Sequence, residues 1–142
     1  LPAGDAGGAE RAGRLALLAV ARSEGMRAMA RRWATQMVHP DRIDTPLFDA
    51  VLDMLARSSP DIFEAQITAL LNRPDAEPLL AAVGCPTLLL CGREDSWSPP
   101  SRHQFMRDAI AGSSLIVLER CGHMSTMEQP ESVSLALSDW LR

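Results

Sequence analysis

From residue 9 to residue 82, apolar positions recur at intervals of three and four, the period of helices with one buried face. Ala9 to Glu24 sets Leu15, Leu18 and Arg22 at helical offsets and closes at Gly25, which suits the left-handed position after a helix. Met26 to Val38 carries Met26, Met29, Trp33 and Met37 along one stripe, and His39 to Thr45 reads as a turn. Thr45 as cap and Pro46 at the first helical position open a third helix, with Leu47, Val51, Met54 and Leu55 on one side. Ser59 and Pro60 repeat that start for a helix from Asp61 to Leu71. Asn72 to Pro78 is a linker, followed by a short helical turn through Leu79, Leu80 and Val83.

The period changes at Gly84-Cys85-Pro86. Thr87 to Cys91 is a continuous apolar run between Pro86 and Gly92, the pattern of a parallel strand buried on both faces. Ser98-Pro99 opens a helix with Phe105, Met106 and Ile110 apolar, and Gly112 ends it. A second strand is expected at Leu115 to Leu118. A last helix begins at Pro130-Glu131, and the spacing of Val133, Leu137, Trp140 and Leu141 predicts a face packed on a sheet. Two parallel strands leave open edges and uncovered apolar faces. The expected cover is a segment N-terminal to residue 1, a second chain or a rearranged homo-oligomer, and the isolated chain is expected to self-associate.

Composition narrows the class. With 142 residues, 46% hydrophobic and 23% charged, the chain is ordinary globular material, and no run nears the roughly 18 apolar residues of a membrane span. The net charge of −4 is spread over both halves, which favours neither nucleic acid nor an anionic membrane surface. Every basic residue is Arg, so lysine Schiff-base and Ser-Lys chemistry are excluded. Cys85, Cys91 and Cys121 form no Cys-x-x-Cys pair; they read as three buried thiols in a reduced, cytoplasmic setting rather than as a metal site. Leu1 to Gly8 has neither an initiating Met nor the basic and apolar regions of a secretory signal, so the sequence reads as beginning inside a longer product.

Chemistry gathers in the loops after the two strands. The first is Cys91-Gly92-Arg93-Glu94-Asp95-Ser96-Trp97-Ser98-Pro99 and the second Arg120-Cys121-Gly122-His123-Met124. Loops leaving the carboxyl ends of adjacent parallel strands emerge on one edge of the sheet, where ligands bind in open α/β folds. An Asp and a His delivered there can form a pair in which the carboxylate fixes the tautomer of the ring and the other nitrogen takes a proton.

The stretch Cys85-Pro86-Thr87-Leu88-Leu89-Leu90-Cys91-Gly92-Arg93-Glu94-Asp95 resembles the acid-bearing strand and loop of the α/β-hydrolase superfamily. Cys121-Gly122-His123-Met124, followed by Glu128-Gln129-Pro130-Glu131, resembles its histidine loop and final helix. The family order is nucleophile, acid, histidine, and the last two stand here in that order. The resemblance implies an α/β fold, the C-terminal part of an α/β-hydrolase: residues 1–83 as a helical cap-like region, and residues 84–142 as two parallel strands with flanking helices. It implies Asp95 as catalytic acid and His123 as general base, and it implies no metal or organic cofactor. No Gly-x-Ser-x-Gly occurs, nor its Cys or Asp equivalent, so this chain alone is expected to be inactive.

Competing readings apply to each residue. Asp95 could be a solvated turn or cap carboxylate, with Glu94 as an alternative acid, and His123 could be a structural histidine. Trp97 could wall a substrate pocket or anchor its loop. Trp33, on the Met-rich stripe, could be core or pocket lining, and Met124, next to the base, is a further candidate for contact with a small apolar ester-like substrate. His39 and His103 read as surface residues without a role. Cys121 is too close to His123 in the same tight loop to serve as its nucleophile. The whole is consistent with a serine-type hydrolase of acyl bonds or, in another class, a non-catalytic binding or assembly module.

Overall fold

A computed structural model describes residues 5–142, with side chains from residue 8 onward. The described residues form helices α1 (Asp5–Glu24), α2 (Met26–Ala34), α3 (Pro46–Ala56) and α4 (Pro60–Leu71), then strand β1 (Leu88–Gly92), helix α5 (Pro100–Ala109), strand β2 (Ser114–Leu118), and helices α6 (Ser125–Glu128) and α7 (Pro130–Trp140). Short 3-10 turns occupy Pro40–Arg42 and Glu77–Ala82. They pack as two units: residues 5–34 with Asp49–Glu77, and Thr35–Phe48 with Pro78–Arg142. The stretch Thr35–Phe48, which precedes residue 84 in sequence, thus packs with the strands.

The helical unit buries the predicted stripes. Leu18 and Ala21 of α1, Met26 and Met29 of α2, and Phe63 and Ile67 of α4 make its core, and the Trp33 ring packs on that of Phe63 with centroids 5.3 Å apart. Gly25, at φ 89°, separates α1 from α2 as expected. The Ser59 hydroxyl caps α4 by accepting the amide of Ile62 at 3.2 Å. Helix α2 is shorter than predicted, stopping at Ala34 rather than Val38. Met37 continues the helical spacing, but its carbonyl accepts the amides of His123 and Met124 at 2.8 and 3.1 Å, and these long-range bonds displace a further helical turn.

In the second unit β1 and β2 pair in parallel, Leu90 opposite Ile116 and Gly92 opposite Leu118. Leu118, Cys121 and Val133 form its core, with Leu90 and Ile116 against them. Three expectations need correction. The strands are not buried on both faces: Leu88–Leu90 and Leu115–Val117 are only half-buried, because among the described residues each strand pairs with just one neighbour. Of the apolar face of α7, Val133 is buried while Leu137, Trp140 and Leu141 are exposed. Cys85 is exposed rather than buried, since it lies in the loop ahead of β1. Among the described residues no helix is long and apolar enough to cross a membrane.

Candidate active site

The carboxyl ends of β1 and β2 bring the two informative loops together. Arg93 donates its amide to the Leu118 carbonyl at 2.8 Å and Glu94 donates its amide to the Cys121 carbonyl at 2.9 Å. Gly92 permits this approach, since a Cβ there would fall on the carbonyl oxygens of Cys121 and Gly122. Arg120 enters the histidine loop at φ 54°, an uncommon conformation for a residue with a side chain. The Gln129 side-chain amide donates to the carbonyls of Glu119 and Arg120 and holds that turn.

Asp95 is 5% exposed and divides its oxygens between two tasks. Oδ1 accepts the amides of Trp97 and Ser98 at 3.0 and 2.9 Å, and Oδ2 lies 2.8 Å from His123 Nδ1. One carboxylate therefore both caps the turn and contacts the imidazole. An ionised carboxylate only accepts hydrogen bonds, so beside one Nδ1 carries the proton and a neutral ring has its lone pair on Nε2. The His123 side chain is 38% exposed, and among the described residues Nε2 has no hydrogen-bond partner. A buried carboxylate that orients an imidazole in this way is an arrangement able to serve general-base chemistry.

Glu94 takes a different part. Its Oε2 accepts the Cys121 amide at 2.9 Å, so it ties the acid loop to the histidine loop rather than contacting the imidazole. Trp97 lies beside His123, ring centroids 5.1 Å apart and tilted by 55°, while its Nε1 donates to Gln36 Oε1 at 3.3 Å. It thus touches the base and anchors the loop. Met124 is half-buried beside His123, at the start of α6. Trp33 belongs to the helical unit, in the core contacts described above.

His39 is not the surface residue expected. Its side chain is largely buried, Nδ1 accepts the Asp41 amide at 3.1 Å, and its own amide donates to Glu128 Oε2 at 2.8 Å. His103 is half-buried on α5, with Nδ1 3.3 Å from the Pro99 carbonyl. Glu128 was not singled out from sequence. It is 6% exposed, and its Oε1 accepts the Gly122 amide at 3.0 Å. The Glu-Gln-Pro-Glu run was visible, but nothing in its spacing tells that Glu128, rather than Glu131, turns inward.

The two buried thiols are unreactive by environment. Burial, reinforced by the nearby Glu128 and Glu94 carboxylates, pushes Cys121 up to about 12, and burial together with Asp95 also raises Cys91. Cys121 stays protonated at neutral pH and cannot act as nucleophile. Iodoacetamide at pH 8 is accordingly expected to label the exposed Cys85 first, and to reach Cys91 and Cys121 only on unfolding; mass spectrometry that finds Cys121 labelled in the folded chain would refute this. The folded state holds the Cys121 proton more tightly than the unfolded chain, so this group's stabilising contribution is complete below about pH 9. It is lost as pH rises towards 12. Among the described residues no group of three His, Cys, Asp or Glu could hold a metal ion.

Comparison with known proteins places the fold. The model of the alpha/beta hydrolase family matches residues 2–135. This chain belongs to that family. The sequence is 24% identical over 106 residues to the pimeloyl-(acyl-carrier protein) methyl ester esterase of Neisseria meningitidis, a match covering 75% of this chain and 41% of that protein. It is 30% identical over 118 residues to 3-oxoadipate enol-lactonase 2 of Acinetobacter baylyi, covering 82% of this chain and 43% of the relative. A thermophilic esterase from Thermogutta terrifontis superposes with a TM-score of 0.83 at 30% identity, over 93% of this chain and 49% of that one. This alpha/beta hydrolase chain therefore spans a little under half the length of these relatives. The family and the fold implied by the acid and histidine loops are both confirmed.

Proposed function

We propose that the chain is the acid- and base-bearing part of a serine-type hydrolase that cleaves an ester, lactone, thioester or similar acyl bond in a small, largely apolar substrate. The observation that carries this reading is the 2.8 Å contact between buried Asp95 Oδ2 and His123 Nδ1 at the carboxyl ends of paired parallel strands. The names of the relatives, a methyl ester esterase and an enol-lactonase, support acyl bonds as the target. A hydroxyl facing Nε2 would lose its proton to His123 as it attacks the acyl carbon, and the imidazolium would then protonate the leaving group. Asp95 would hold the ring and offset the charge that develops on it. Trp97 and Met124, beside the base, would contact the substrate. The nucleophile and the oxyanion donors come from outside this chain, from an upstream segment or a second polypeptide, in a cytoplasmic setting. No metal or organic cofactor takes part.

A non-catalytic assembly module is the second reading, favoured by the exposed Leu135, Leu137 and Trp140 of α7 and Leu141 just after it, an apolar face suited to another polypeptide or another copy of the chain. A p-nitrophenyl ester assay separates the two. The isolated chain is expected to show no turnover. The product that also carries the nucleophile is expected to hydrolyse the ester and to lose that activity on His123→Ala. Turnover by the isolated chain that disappears on the same substitution would overturn the claim of incompleteness. Inactivity of the nucleophile-bearing product would leave the assembly reading standing.

A further inference from the structure

We propose that Glu128 is a positioning residue for His123, clamping the histidine loop to the segment Gln36–His39. Its catalytic meaning rests on the hydrolase reading above, whereas its structural content rests on the hydrogen bonds alone.

The amides of Cys121 to Met124 in the histidine loop are all engaged. Cys121 donates to Glu94 Oε2, Gly122 to Glu128 Oε1, and His123 and Met124 both to the Met37 carbonyl. The second oxygen of Glu128 accepts the amide of His39, two residues beyond Met37. Packing enforces the same contact, because a Cβ on Gly122 would come within 2.6 Å of the Val38 carbonyl carbon. Gln36, at the start of this segment, reaches the other loop: its carbonyl accepts the Ser96 hydroxyl at 3.2 Å and its side chain accepts the Trp97 indole. One short stretch of chain therefore holds both the acid loop and the base loop, and Glu128 is the side chain that locks it to the base.

Glu128 differs from Glu94 in its burial. The Glu94 side chain is 34% exposed and holds a single amide of the histidine loop, that of Cys121. Glu128 is 6% exposed, and its bond to the Gly122 amide is buried while that to the His39 amide is partly buried. Losing its carboxylate leaves a buried donor at Gly122 and a partly buried one at His39, and the buried donor finds a new partner only if the loop shifts. His123 follows immediately after Gly122, so such a shift alters the distance between Nδ1 and Asp95. Misplacing a catalytic group by an ångström is worth roughly a hundredfold in rate.

Glu128→Gln tests the clamp, since an amide can accept from one donor but presents its own N–H to the other. The proton on His123 Nδ1, followed by NMR in the 142-residue chain, is expected to exchange with water at least about tenfold faster in E128Q, with the exchange of the β1 amides unchanged. Unaltered exchange of the Nδ1 proton in folded E128Q would overturn the proposal. If E128Q does not fold, Glu128→Asp keeps both acceptor oxygens one methylene short and is held to the same reading. In the nucleophile-bearing protein, kcat is expected to fall roughly tenfold to a hundredfold with KM within about twofold. A rise in KM with unchanged kcat would contradict a positioning role. A wild-type protein with no ester turnover removes the hydrolase reading but leaves the exchange measurement to decide the clamp.

Discussion

Replacing Asp95 with Asn in the nucleophile-bearing protein is expected to lower kcat on an acyl ester by about ten-thousandfold, with KM little changed. The two oxygens of Asp95 have separate duties, and Asn can perform only one of them. Its carbonyl oxygen can still accept the amides of Trp97 and Ser98, so the acid loop keeps its turn. Its amide group, in place of Oδ2, donates to His123 Nδ1 instead of accepting from it. The ring is then driven to the tautomer with the proton on Nε2, where it has no lone pair to receive a proton from a nucleophile. Asp95→Ala should be as inactive and also less stable, because it strips the acceptor from both loop amides. Kinetics of the two variants beside thermal unfolding of each make the comparison. An Asn variant that retains kcat within tenfold would show that the carboxylate does not set the tautomer.

The second large effect is on folding rather than on rate. Gly92→Ala places a methyl group on the backbone carbonyls of Cys121 and Gly122, which cannot rotate aside as a flexible side chain would. The loops must separate, breaking the hydrogen bonds from Arg93 to Leu118 and from Glu94 to Cys121. A loss of about 3 kcal/mol is expected. For a chain of this size that lowers Tm by roughly 6–12 °C. Gly84→Ala is the control, since a Cβ there meets nothing within 4 Å, and its Tm should hardly move. Equal melting temperatures for the two variants would refute the close approach.

Local chemistry made much of this legible in advance. Pro46 and Pro60 mark helix starts because a ring without an N–H fits where no intrahelical bond is needed, and Thr45 and Ser59 supply the caps. Asp95 and His123 could be paired because each stands just past a strand, and parallel strands send such loops to a common edge. The unread parts depend on long-range bonds. Four residues at α6 are too few to show a period, and the end of α2 is set by amides from residues far along the chain. Glu128 and His39 look in sequence like ordinary polar positions in turns; their burial exists only once residues 89 positions apart have met. The exposed half of α7 shows the converse, since spacing reveals that a face is apolar without revealing what lies against it.

The amides of the histidine loop are tied to Glu94, Glu128 and Met37, and each of these ties lies within the same unit as the strands. The direction in which His123 offers its lone pair is therefore decided before any reacting group arrives. Under the hydrolase reading proposed above, the attacking group could change by alteration of other parts of the protein while the imidazole kept its orientation. Divergence of chemistry within this architecture would then begin on the side facing the imidazole, while the residues behind it stay as they are.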